Sequence, residues 1–127
     1  MRRLVGGRAT GILTHTHQPI NFLGMVNKDT GIVQDASHDL YGRSLQDTIL
    51  ALPYGIGSSV GAYTIYSIKS NNAAPSAILC ERSDLTVATG CAVANIPLAI
   101  LDTFEMESLH DNSKITVDVD AGMILYN

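Results

Sequence analysis

Apolar residues gather along this chain in short runs. Thr48-Ile49-Leu50-Ala51-Leu52 is a continuous apolar run closed by Pro53, the pattern of a strand buried on both faces. Ser76 to Cys80 repeats that pattern, and Ile96 to Leu101 gives a third such strand. Ala9 to Thr16 and Gly31 to Gln34 also read as short strands, separated by Asn27-Lys28-Asp29-Thr30-Gly31, whose residue types favour turns. Near the end, Lys114 to Val119 alternates Ile115 and Val117 with polar neighbours, and Met123 to Tyr126 can pair with it across Asp120-Ala121-Gly122.

Two further segments have the length of helices. Ser58 to Ser70 offers a serine cap and an Asn71-Asn72 stop, but Val60, Thr64, Ile65 and Ile68 are β-branched, so helix and strand both remain open. Asp84 to Ala94 begins on a capping aspartate and reads as a helix, weakened by about 1 kcal/mol at Gly90. Short buried strands alternating with helical segments predict a mixed α/β fold.

Composition narrows the class. At 127 residues the chain is expected to be one domain, 1–127, and with 46% hydrophobic and 16% charged residues it should fold and suit a partner that covers its surface. Eight Lys+Arg against twelve Asp+Glu, a net charge of −4 with no basic cluster, argue against nucleic-acid binding. No apolar stretch approaches the 18 residues of a membrane span, and Met1-Arg2-Arg3-Leu4-Val5-Gly6-Gly7-Arg8 lacks a secretory apolar region, so a cytoplasmic protein is expected. Cys80 and Cys91 stand within apolar runs rather than in a CxxC pair; buried free thiols are expected, and no metal site.

The chemistry concentrates in Leu52-Pro53-Tyr54-Gly55-Ile56-Gly57-Ser58-Ser59-Val60-Gly61, where a buried strand runs into a glycine loop and then a capped element. If Ser58 opens a helix, the unpaired N–H groups of its first turn face the space beyond the strand's carboxyl end, a place suited to a carboxylate or phosphate. The spacing Gly55-x-Gly57-x-x-x-Gly61 misses G-x-G-x-x-G by one residue, and no lysine follows as in a P-loop, which weighs against a nucleotide. The plainer alternative is a tight turn with two capping serines.

Elsewhere, His15 and His17 would share one side of a strand and could hold a metal between them, but no third ligand is apparent and a polar strand face is expected. His38 and His110, among Asp and Ser residues, are expected to be exposed, and Asp118 and Asp120 to be turn and surface residues. Tyr54, Tyr63 and Tyr66 have the amphipathic character of interface aromatics, although core packing is the expected use.

An ordered series of motifs resembles the small, swivelling domain of the aconitase X family. It comprises Pro19-Ile20-Asn21-Phe22-Leu23-Gly24-Met25-Val26-Asn27 with Thr30-Gly31, Gly42-Arg43-Ser44-Leu45, Gly55-Ile56-Gly57-Ser58-Ser59-Val60-Gly61-Ala62, Ala73-Ala74-Pro75-Ser76-Ala77-Ile78, Ala88-Thr89-Gly90 and Ile96-Pro97. The likeness runs from about residue 5 to residue 100. It implies a swivelling β/β/α unit, like the small domain of aconitase and isopropylmalate dehydratase, that closes over a larger subunit carrying a 4Fe–4S iron–sulfur cluster. A cluster held through protein thiolates needs about three or four cysteines, and this chain has two. The resemblance therefore implies a large catalytic subunit as partner, with the iron acting there on the departing hydroxyl. It assigns the catalytic base to Ser58 and substrate binding to Gly57, Ser59 and Arg43.

A separate small chain with Val60-Gly61 after the serines and Tyr63-x-x-Tyr66-x-x-Lys69 behind them resembles the archaeal branch of the family. Its members dehydrate (R)-5-phosphomevalonate, a phosphorylated hydroxy acid, to trans-anhydromevalonate 5-phosphate in a modified mevalonate route to isoprenoids. Bacterial relatives dehydrate cis-3-hydroxy-L-proline, and a non-catalytic anion-binding domain is a further alternative. Two positions depart from the family pattern: Ile56 stands where a basic residue is common, and Ala62 where a serine is frequent. Charge for the substrate must then come from Arg43, Lys69 or the partner.

Ionising a hydroxyl about as acidic as water costs about 12 kcal/mol at neutral pH. A helix N-terminus supplies at most about 2 kcal/mol. Ser58 is thus expected to act only in the closed complex, and the isolated chain to be inert.

Overall fold

The computed structural model describes residues 1–127. In chain order its elements are β1 (Arg2–Val5), β2 (Arg8–His15), α1 (Phe22–Met25), β3 (Ile49–Leu52), α2 (Gly61–Ser70), β4 (Ala77–Cys80), α3 (Leu85–Ala94), β5 (Leu98–Ile100), α4 (Thr103–Glu107), β6 (Lys114–Asp118) and β7 (Met123–Tyr126). The seven strands form one curled sheet in the order β1-β5-β4-β3-β2-β6-β7. Neighbours from β5 through β2 are parallel, and β1, β6 and β7 pair antiparallel at the two flanks.

The three apolar runs become the central strands because both of their faces are covered. Leu50, Leu52, Ile78, Cys80 and Leu98 pack under α2 and α3, while Ile49, Ala51, Ala77, Leu79 and Ala99 face a second cluster with Met106, Ile115 and Val117. Each fully buried Leu or Ile contributes roughly 1.5–3 kcal/mol. The long strand β2 serves both halves of the sheet: Arg8 to Ile12 pair with β6, and Leu13 to His15 pair with β3. At that turn-over, a β-carbon on Gly11 would lie 2.6 Å from the Asp47 carbonyl oxygen, so the residue there must lack one.

The segment open to either reading, Ser58 to Ser70, is a helix from Gly61, preceded by a turn in which Gly61 N–H donates to the Ser58 carbonyl at 3.0 Å. Tertiary packing settles the choice, since Ile65 and Ile68 of α2 are fully buried in the core cluster shared with α3. Residues Gly31 to Gln34 are not a strand of the sheet. Parallel pairing of β2 with β3 fills the place beside it, and this segment makes only isolated bridges, Val26 with Val33 and Ile32 with Ser44. The excursion still adds Ile20, Phe22, Val26, Val33, Leu40 and Leu45 to the core.

His38 departs from the expected exposure. It is 6% exposed, with Nε2 at 3.2 Å from the Pro19 carbonyl and Nδ1 accepting from Leu40 N–H at 3.1 Å, so a ring with polar neighbours in sequence ties down the excursion instead. His110, Asp118 and Asp120 do lie at or near the surface, the last beside Arg3 at 3.6 Å. No helix is long and apolar enough to cross a membrane.

Candidate active site

The carboxyl ends of β3 and β4 lie side by side, and the loops that leave them are laced together. Glu81 and Arg82 N–H groups both donate to the Pro53 carbonyl, at 3.0 and 3.2 Å, and the Arg82 guanidinium stacks 3.7 Å over the Tyr54 ring. On the other side, Ile20 N–H donates to the Tyr54 carbonyl and Ile56 N–H donates back to the Ile20 carbonyl, at 3.3 and 3.0 Å. The glycine loop therefore leaves the sheet between two fixed rails.

Its glycines are required by contact and by backbone. Gly55 N–H donates to Asp84 Oδ1 at 2.9 Å, and a β-carbon at Gly55 would meet Val87 Cγ2 at 2.6 Å. Gly57 has φ +98°, a conformation that L side chains rarely adopt, and a β-carbon there would stand 2.9 Å from Asn21 Oδ1. This turn carries Ser58 out to the surface, where both Ser58 and Ser59 are exposed.

What the loop presents is a run of unpaired donors. The N–H groups of Gly57, Ser58 and Ser59 have no partner in the chain, whereas the next ones are used: Val60 N–H reaches Ser58 Oγ at 3.4 Å, Gly61 N–H the Ser58 carbonyl and Ala62 N–H the Ser59 carbonyl, both at 3.0 Å. The three free donors lie at the positive end of the ten-residue helix α2. Such an arrangement suits a carboxylate or a phosphate oxygen with the Ser58 hydroxyl beside it.

Gly57, Ser58 and Ser59 are thus brought together, while the Arg43 side chain contacts none of them. Its guanidinium lies 3.2 Å from Asn112 Oδ1, 3.5 Å from Thr14 Oγ1 and 3.6 Å from Asp111 Oδ2. Two residues that sequence reading did not connect to the loop, Asp84 and Thr86, hold it from the start of α3: Asp84 Oδ2 accepts from Val87 N–H at 3.2 Å while Oδ1 takes Gly55, and the Thr86 hydroxyl donates to the Ser58 carbonyl at 2.9 Å. The capping signal at Asp84 was visible in sequence, its second bond was not.

Next to the loop runs a groove of about 410 Å³ between α2 and α3, lined by Ser59, Ala62, Tyr63, Tyr66, Thr89 and Val93. Tyr63 is 75% exposed and Tyr66 49%, so these two tyrosines are surface residues rather than core, because α2 turns Thr64, Ile65 and Ile68 inward and leaves them outside. Tyr54 is half-buried beneath Arg82.

The histidine pair sits at the end of β2, with ring centroids 4.7 Å apart. Burial, and then the neighbouring His17, hold His15 below its ordinary pKa against the opposing pull of Asp111, Glu81 and Asp39, and its Nε2 is buried without a partner. No group of three or more His, Cys, Asp or Glu side chains is placed to hold a metal ion. Cys80 and Cys91 do not fit an iron–sulfur cluster: both are buried, and burial raises both thiols, Cys91 to about 12 and Cys80 further. Cluster ligands are thiolates.

Comparison with known proteins matches this geometry to one lineage. The sequence profile described as "Aconitase X swivel domain" matches residues 1–126. The phosphomevalonate dehydratase small subunit of Thermococcus kodakarensis is 42% identical, covering 97% of this chain and 91% of its own, and that of Methanocella arvoryzae is 39% identical, covering 96% and 93%. Among solved structures, the crystal structure of Thermococcus kodakaraensis aconitase X in its holo-form superposes with a TM-score of 0.91 at 40% identity, over 99% of this chain and 95% of that one. A solution structure of a UPF0107 protein superposes at 0.89 with 34% identity, over 99% and 96%. A curled α/β sheet that offers a glycine–serine loop beyond its parallel strands, matched along nearly its whole length, makes this chain a member of the aconitase X swivel-domain family.

Proposed function

We propose that this chain is the small subunit of a heteromeric hydro-lyase that dehydrates (R)-5-phosphomevalonate to trans-anhydromevalonate 5-phosphate, with Ser58 as its base. The observation that carries the reading is the exposed Ser58 hydroxyl beside three free N–H groups, in a chain about 40% identical to phosphomevalonate dehydratase small subunits. Ser58 Oγ, deprotonated in the closed complex, takes a carbon-bound proton. The C–H electron pair becomes the new double bond, the C–O bond breaks, and the departing hydroxide takes up a proton from solvent as Ser58 gives up the one it accepted, so that one water leaves per turnover. The N–H groups of Gly57 and Ser59, with the Ser59 hydroxyl, hold a substrate anion and orient the carbon acid toward Oγ. Arg43 enters as a second anion contact by exchanging Asp111 for substrate.

Activity requires the large subunit, for two reasons. Ionising a serine hydroxyl is out of reach of an exposed helix end, and this chain has no donor set for the 4Fe–4S cluster, which the reading assigns to that partner. Tyr63, Tyr66, Leu85 and Val93, all exposed and continuous with Ser59 or the start of α3, form the apolar face on which the large subunit closes. Free buried thiols suit the cytoplasm in which the reading places the complex.

The test is to reconstitute the complex with its large subunit and assay water loss. Turnover of phosphomevalonate that falls by about 10²-fold or more in Ser58→Ala supports the proposal. Near-normal turnover in that variant overturns the base, turnover of cis-3-hydroxy-L-proline instead overturns the substrate, and a chain that pulls down no iron-containing subunit overturns the enzyme reading in favour of simple anion binding.

A further inference from the structure

We infer that Thr86 is a positioning residue for Ser58, setting the direction of its hydroxyl from the neighbouring helix; the inference rests on the reading of Ser58 as the base. Ser58 has few anchors of its own. Its N–H is free, its Oγ meets only Val60 N–H at 3.4 Å, and its carbonyl accepts locally from Gly61 N–H. The one bond that ties Ser58 to a distant part of the chain comes from the Thr86 hydroxyl, 2.9 Å from that carbonyl and 28 residues away in sequence.

Both branches of the Thr86 side chain are used. While the hydroxyl holds Ser58, the methyl Cγ2 fills the space in front of Gly61, where a β-carbon would stand 2.8 Å from it. The residue is 2% exposed, so neither branch answers to solvent. Rotation of the Ser58 peptide plane would swing the adjacent Ser59 N–H and the Ser58 side chain together, and the bond from Thr86 opposes that rotation. A base must meet a carbon-bound proton within a narrow geometry, where about 1 Å of misplacement can cost 10²-fold in rate.

The two branches can be separated by substitution. Thr86→Val keeps the shape and the methyl but loses the donor, while Thr86→Ser keeps the donor and loses the methyl. In the reconstituted enzyme, Thr86→Val is expected to lower kcat by about ten- to a hundredfold with little change in melting temperature. Thr86→Ser should melt lower yet keep kcat within about threefold of the parent. Amide hydrogen exchange at Gly61, whose buried N–H shares the Ser58 carbonyl with the Thr86 hydroxyl, should speed up in Thr86→Val and not in Thr86→Ser, in the free chain as in the complex.

If kcat follows melting temperature instead of the hydroxyl, or if Thr86→Val retains full turnover, the inference is overturned. Ser58→Ala, measured alongside, separates the two failures. Loss of activity in Ser58→Ala without loss in Thr86→Val removes Thr86 and leaves the base, whereas full turnover in Ser58→Ala removes both.

Discussion

Gly90 of α3 lies directly against Ile65 of α2: a β-carbon on Gly90 would stand 2.7 Å from Ile65 Cδ1 and 2.9 Å from Ile65 Cβ. A side-chain tip can swing away, but Cβ is fixed to the backbone. Helix propensity alone predicts that Gly90→Ala stabilises the chain by about 1 kcal/mol. The contact predicts the opposite sign, a net loss of about 1–3 kcal/mol by overpacking. Chemical denaturation of the free subunit checks the sign, and a stabilised variant would refute the close-packed reading of the two helices.

The contrast shows where sequence reading carries and where it stops. The central strands are legible because Ile49 to Leu52 and Ala77 to Cys80 are apolar at every position, a pattern that few other environments allow. Composition alone cannot distinguish a glycine that weakens a helix from one that lets a second helix approach. Gly90 looked like the first and is the second. In the same way, α4 was missed although Asp102 and Glu105 form a capping box, because five residues show no periodicity to find. Of the site, the glycine–serine loop was visible as a string of letters. Its attachment to Thr86 and Asp84 depends on which loops the parallel pairing of β3 with β4 sets side by side, and the engagement of Arg43 with Asn112 and Asp111 joins segments far apart in sequence.

Gly57→Ala tests the loop without removing any functional group. The positive φ of +98° strains any L residue, and the added β-carbon crowds Asn21 Oδ1 at 2.9 Å. A strain of about 1–3 kcal/mol is expected, relieved by a shift of the exposed loop. Turnover of the reconstituted complex should fall by at least tenfold, while the melting temperature of the free subunit moves by a few degrees. Unchanged turnover would show that the loop's conformation is not what presents Ser58.

The two cysteines should be silent toward thiol reagents in the native chain. Each is buried between the sheet and α3, and burial holds Cys91 up to about 12 and Cys80 above that, so almost no thiolate exists at neutral pH. A colorimetric thiol titration should count none in buffer and two in guanidinium. Rapid native labelling of either would place that thiol outside the core.

His15 makes stability depend on pH in a stated direction. Burial lowers its folded pKa below the ordinary 6.5, with the charge of His17 adding to the effect and Asp111, Glu81 and Asp39 opposing it. Below about pH 6.5 the unfolded chain therefore binds the proton that the folded chain refuses, and stability declines as pH falls from there through the folded pKa. Above pH 7.5 both states are neutral at this ring and the contribution is flat. Replacing His15 with Gln removes the titration, so the stability lost between pH 7.5 and pH 5 should be smaller in His15→Gln than in the parent, measured by urea unfolding at each pH. Equal pH slopes in the two proteins would mean that His15 titrates as it does in the unfolded chain, and that the unpartnered Nε2 is open to water in solution.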